Sequence, residues 1–79
     1  MSPIPTGYNQ RLNANGTLGG IVHESAYVSE SAIIGENTRI DERARICIGV
    51  KIGDRCVINE GVTIADQTSL GCDTYVYRD

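Results

Sequence analysis

The chain has 79 residues, with seven Lys and Arg against ten Asp and Glu and a net charge of −3. That length holds one small domain, marginal as a lone globule, and an acidic balance gives no basic face for nucleic acid. No apolar run approaches the ~18 residues a spanning helix requires, so no membrane partner is expected, and Trp and Phe are absent, so the core must be aliphatic.

Met1-Ser2-Pro3-Ile4-Pro5 has no basic flank and no apolar stretch, so it does not read as a secretory signal, and a cytoplasmic location is expected. Residues 1–21 are dense in turn formers: Pro3, Pro5, Gly7, Asn13, Asn15, Gly16, Gly19 and Gly20. They predict an N-terminal cap or an arm reaching a neighbouring subunit. Asn15-Gly16-Thr17 spells a glycosylation acceptor, but without a signal peptide it reads as a turn.

From residue 22 to 79 the pattern changes. Aliphatic residues recur every six positions: Val22, Val28, Ile34, Ile40, Ile46, Ile52, Ile58, Ile64, Leu70 and Val76. Four places after each of the first nine stands a small or β-branched residue: Ala26, Ala32, Thr38, Ala44, Val50, Cys56, Val62, Thr68 and Thr74. A helix places residues six apart on opposite faces, so it cannot carry this stripe. Alternation suits a strand, but no strand runs this long. The chain must therefore bend regularly. Gly35, Gly53 and Gly71, with Asp41 and Asn59 in the same slot elsewhere, are predicted as corners because they tolerate positive φ. Gly recurring every 18 residues predicts three sides of six residues. Residues 18 apart then stack one strand spacing apart, about 4.8 Å. The three cysteines, Cys47, Cys56 and Cys72, have no zinc-ligand spacing and read as reduced packing residues.

Hexads such as Ile34-Gly35-Glu36-Asn37-Thr38-Arg39 and Ile52-Gly53-Asp54-Arg55-Cys56-Val57 resemble the hexapeptide-repeat family, the bacterial transferase hexapeptide group. The resemblance covers residues 22–79. It implies an all-β fold, a left-handed parallel β-helix of three coils, and assembly as homotrimers. The handedness comes from the resemblance alone, because parallel crossovers are otherwise right-handed. Expected organisation is a cap or arm over 1–21 and a hexapeptide-repeat β-helix over 22–79.

Five of the seven basic residues fall between Arg39 and Arg55. Arg39, Arg45 and Lys51 are six apart and should ring the prism, one per face. They are the candidate anion ligands, with Tyr27 and Tyr75 as rings able to stack on a nucleotide-like base. The competing reading is charge balance, because acidic residues hold the third slot of most hexads, with Glu24, Glu42 and Glu60 stacked at one corner. Outward apolar side chains at Ile33, Val57 and Tyr75 mark faces suited to subunit contact. No metal site and no cofactor is expected.

Two functions compete. The first is a non-catalytic, homo-oligomeric binding or assembly module that holds a small anion in intersubunit clefts or docks on a protein. The second is a minimal acyltransferase of the hexapeptide family, with a CoA-type donor and His23, the one histidine, as general base. The unbroken register leaves no loop to cover an acyl donor, and the balance favours a protein that is not an enzyme.

Overall fold

The computed structural model describes residues 4–77, so Pro3 and the end of the last hexad, Arg78 and Asp79, lie outside it. Among these residues there is strand and turn but no helix, and so no helix long and apolar enough to cross a membrane. Eleven strands occur: β1 (Tyr8–Leu12), β2 (Leu18–His23), β3 (Tyr27–Val28), β4 (Ile33–Ile34), β5 (Arg39–Ile40), β6 (Arg45–Ile46), β7 (Lys51–Ile52), β8 (Val57–Ile58), β9 (Thr63–Ile64), β10 (Ser69–Leu70) and β11 (Tyr75–Val76). From β3 onward each strand is two residues long, one side chain outward and one inward.

Strands three apart in sequence pair in parallel, 18 residues apart: Tyr27 with Arg45, Ile33 with Lys51, Ile40 with Ile58. Three sheets result. The first face is β1-β2-β5-β8-β11, the second β3-β6-β9 and the third β4-β7-β10. This is a β-solenoid of about three turns, as the hexads require. Ile34, Ile40, Ile46 and Ile58 are at most 1% exposed, and Ala32, Thr38, Ala44, Val50 and Cys56 are wholly buried beside them. The core columns are open only at their ends, where Val22, Val28, Leu70 and Val76 are half-buried. Thr38 is the polar exception inside. Its hydroxyl donates to the Gly53 carbonyl at 2.7 Å and accepts the Cys56 N–H at 3.2 Å, which removes the cost of burying it.

The corners differ from the expectation. Along the repeat, positive φ falls at Asn37, Arg43, Gly49, Arg55, Gly61, Gln67 and Asp73, the third residue after each inward aliphatic from Ile34 to Leu70, and not at Gly35, Gly53, Gly71, Asp41 or Asn59. Interchain-like ladders between successive corners hold this conformation. Arg55 N–H donates to Glu36 O at 2.9 Å, Gln67 N–H to Ile48 O at 2.8 Å and Asp73 N–H to Asp54 O at 2.9 Å. Bonds of this kind offset the cost of left-handed backbone at non-glycine residues. Gly35 and Gly53 serve a different need, close approach. A Cβ on Gly35 would lie 2.5 Å from the Gly53 carbonyl atoms, and one on Gly53 would lie 2.7 Å from Cys72 N.

The turn-rich start is a hairpin. β1 pairs antiparallel with β2, with Tyr8 opposite His23 and an irregularity between Gln10 and Leu12. β2 also pairs in parallel with β5, Val22 lying over Ile40. It is thus both the second strand of the hairpin and the first side of the solenoid, and it runs through position 21/22 without a break. Asn15-Gly16-Thr17 forms the hairpin turn, with Gly16 at φ 89° and Asn15 Oδ1 accepting the Thr17 N–H at 3.0 Å.

Candidate functional site

The parallel register fixes where each predicted site residue stands. On the first face the outward stack is Ile21, Arg39, Val57 and Tyr75; on the second it is Tyr27, Arg45 and Thr63; on the third it is Ile33, Lys51 and Ser69. Arg39, Arg45 and Lys51 therefore ring the middle coil, one to a face, and do not converge within one chain. Tyr27 and Arg45 are strand neighbours. Tyr75 shares a face with Arg39, but Val57 stands between them.

Charge balance accounts for much of the basic cluster. Arg39 Nε lies 2.6 Å from Asp41, Arg43 lies 3.0 Å from Glu60 and 3.7 Å from Glu42, and Arg55 lies 2.8 Å from Asp73. Arg43 thus links two members of the stacked acidic corner. The Arg55 guanidinium holds the Asp73 carboxyl below the usual carboxylate range through their hydrogen bond. Among the described residues, Arg45 and Lys51 make no ion pair. Of the predicted ligands, these two remain available to an outside anion.

Arg39 is also held by a group the hexads do not announce. The Tyr8 hydroxyl donates to Asp41 Oδ1 at 2.8 Å, and Arg39 Nη2 donates to the Tyr8 oxygen at 3.3 Å. The Arg39 guanidinium sits 5.2 Å from the centroid of the Tyr8 ring, a cation–π distance. Burial, and then the bond to Asp41, push the Tyr8 phenol above its ordinary pKa. His23 packs against Tyr8 in a T-shaped arrangement, with ring centroids 5.0 Å apart. The cluster latches the hairpin to the middle coil at β5, and it uses up Arg39.

His23 itself is committed locally. Its Nδ1 accepts the Ser25 N–H at 3.1 Å and lies 2.8 Å from Ser25 Oγ. A nitrogen that accepts from a backbone N–H carries no proton, so the hydrogen-bond network assigns the proton to Nε2. A general base needs a free lone pair within reach of the acceptor. In this tautomer the lone pair is spent within its own turn.

A hollow of about 600 Å³ opens on the first face beside the hairpin. Ile4, Pro5, Leu18, Ile21 and Val57 give it an apolar lining, and Glu36, Asn37 and Arg39 supply polar groups. Ile4, Leu18, Tyr75 and Tyr77 are exposed, and the last two rings stack on each other at 6.5 Å. Ile4 and Leu18 escaped the sequence reading because they lie before the repeat. A second hollow of about 480 Å³ is lined by Ser25, Tyr27, Arg43, Ala44 and Arg45. Of the predicted ligands it brings together only Tyr27 and Arg45.

Residues 31–66 match the family model described as bacterial transferase hexapeptide (six repeats). No curated protein and no solved structure gives a match. The matched segment spans β4 to β9 with most of the buried core, and the same hexad continues on both sides, at Val22 and Val28 and at Leu70 and Val76. Residues 31–66 are therefore an array of bacterial transferase hexapeptide repeats, folded as stacked solenoid coils.

Proposed function

We propose that this chain is a non-catalytic assembly and binding module: a homotrimer of solenoids packed side by side, with a small anion held in the lateral clefts. The observation that carries the reading is the first face. Its outward stack of Ile21, Val57 and Tyr75 adjoins an apolar hollow of about 600 Å³ and the exposed side chains of Ile4 and Leu18. Apolar side chains gathered on one face, with only Arg39 between Ile21 and Val57, are what an association face offers, whereas scattered single residues are ordinary. Arg39 lies in the same stack, but its charge is matched by Asp41, so packing this face does not leave a bare cation.

The anion part of the proposal rests on the second face. Arg45 has no ion-pair partner among the described residues and stands beside Tyr27, so a guanidinium and an aromatic ring share one hollow. A phosphate with a planar base uses both groups. Lys51, on the third face, joins such a site only if a neighbouring subunit supplies it. The bond between His23 and Ser25 supports this reading over an acyltransferase.

Light scattering across a concentration series tests the assembly. A mass of three chains is expected, and Val57→Glu should give one chain. A wild-type protein that stays monomeric at high micromolar concentration overturns the proposal. Thermal shift with a nucleotide and CoA panel tests the ligand. A shift with nucleotides that is lost in Arg45→Ala supports the anion site. A shift with CoA, accompanied by turnover that disappears in His23→Ala, supports the enzyme instead.

A further inference from the structure

Each interior coil offers backbone carbonyls to the coil before it. On the third face, Val50 O receives the Ile33 N–H at 2.9 Å and Ile52 O receives the Gly35 N–H at 2.8 Å. One coil further, Thr68 O and Leu70 O receive the N–H groups of Lys51 and Gly53 at 3.0 and 2.9 Å. The corresponding carbonyls of the first coil are Ala32 and Ile34, and no coil precedes them.

Two hairpin side chains fill the gap. Arg11 Nη2 donates to Ala32 O and to Ser29 O, each at 3.0 Å. Asn13 Nδ2 donates to Ile34 O at 2.8 Å, and its Oδ1 accepts the Ile34 N–H at 3.0 Å. The amide of Asn13 thus gives Ile34 the donor and the acceptor that a neighbouring strand would give. It is 2% exposed, and Arg11 Nε steadies it at 3.2 Å.

Among the described residues, the opposite end shows no such closure. Among the described residues, the N–H groups of Ser69 and Gly71, the counterparts of Ile33 and Gly35, have no backbone acceptor. Edge strands are blunted by short length, by charge, Lys above all, or by Pro; residues 63–77 contain no Lys, Arg or Pro, and their two charged side chains are Asp66 and Asp73. Ser69 and Gly71 of one molecule therefore carry the donors that Ala32 and Ile34 of a second would accept, in the register the interior coils already use. Such a contact is head-to-tail, does not close and propagates as a filament.

We infer that Arg11 and Asn13 form an intramolecular plug. They occupy, within their own chain, the strand-addition site that the last described coil of a second copy fits, and so they block end-to-end growth. This holds whether or not the wild-type chain also associates through its sides, because the mass of the wild-type species is only the baseline.

The test is sedimentation velocity on the full chain carrying Arg11→Ala and Asn13→Ala, over a concentration series, with circular dichroism to check the fold. The expected result is a weight-average mass at least double the wild-type value and rising with concentration. Adding Ser69→Pro, which removes one donor from the open edge, should return the mass to baseline. Arg11→Ala alone leaves the buried Asn13 in place, and it takes over the test if the double variant does not fold; it should show the same growth to a lesser degree. A folded unplugged variant that sediments like wild type at every concentration overturns the inference, as does growth that Ser69→Pro leaves unchanged.

Discussion

Gly35 and Gly71 hold the same slot of the repeat, two coils apart, yet replacing each with alanine should act in opposite directions. Neither has positive φ, so backbone conformation does not separate them. Space does. A Cβ on Gly35 would meet the Gly53 carbonyl carbon and oxygen at 2.5 Å, as well as Asp54 Oδ1, whereas one on Gly71 has nothing within 4 Å among the described residues. Ordinary carbon contacts begin near ~3.4 Å, so the overlap at Gly35 is close to an ångström, and it is with backbone that cannot rotate away. Relief requires two coils to spread, which lengthens the bond from Gly35 N–H to Ile52 O, now 2.8 Å. Overpacking costs about 1–3 kcal/mol, and the rigid neighbour puts Gly35→Ala at the upper end. For a domain of this size that lowers Tm by roughly 10–20 °C. Gly71→Ala removes freedom from the unfolded chain without strain, and should raise stability by about 0.4–1 kcal/mol. Thermal unfolding followed by circular dichroism, at one fixed protein concentration, measures both. If Gly71→Ala destabilises as much as Gly35→Ala, the slot requires glycine for its dihedrals and the close-approach argument fails.

Ile46 is wholly buried and Ile48, two residues on, is 61% exposed; Ile46→Ala should cost about 2–5 kcal/mol and Ile48→Ser should stay within ~0.5 kcal/mol, a contrast that urea titration reads directly. The Asp73 carboxyl is held low by Arg55, so its contribution to stability is present above the unfolded value near ~4 and is lost as pH falls through the lower folded value; Arg55→Met should flatten that part of the acid unfolding curve, and an unchanged curve refutes the pairing. The Tyr8 phenol is raised, by burial first and then by Asp41. Its contribution is therefore intact below the unfolded value near ~10 and declines as pH rises above it. Tyr8→Phe should remove that alkaline decline while leaving the acid limb in place, as measured by melting temperature against pH.

The repeat was legible because it is local. Ile34, Ile40, Ile46 and Ile58 could be assigned to the interior from spacing alone, and Tyr27 could be set beside Arg45 once 18 residues made a coil. The corner assignment failed at Gly35 and Gly53 because a glycine admits two physical explanations, unusual dihedrals or lack of room, and composition does not separate them. Arg43, Arg55 and Gln67 take the left-handed conformation instead, and no propensity marks them for it; the ladders between corners impose it. The predicted ligand set was split over three faces, and what occupies Arg39 was hidden because Tyr8 meets Asp41 across 33 residues.

The amino-acid order by itself determined the interior of the solenoid. Side chains alternate in and out along a strand, and coils of equal length stack in register, so a one-dimensional period is enough to assign every column. Only the tertiary structure decided how the array stops. The first coil leaves backbone groups with no preceding coil to bond, and any donor or acceptor brought close enough can satisfy them. That Arg11 and Asn13 do so depends on where a hairpin folds back in space, a distance that no period in the sequence encodes.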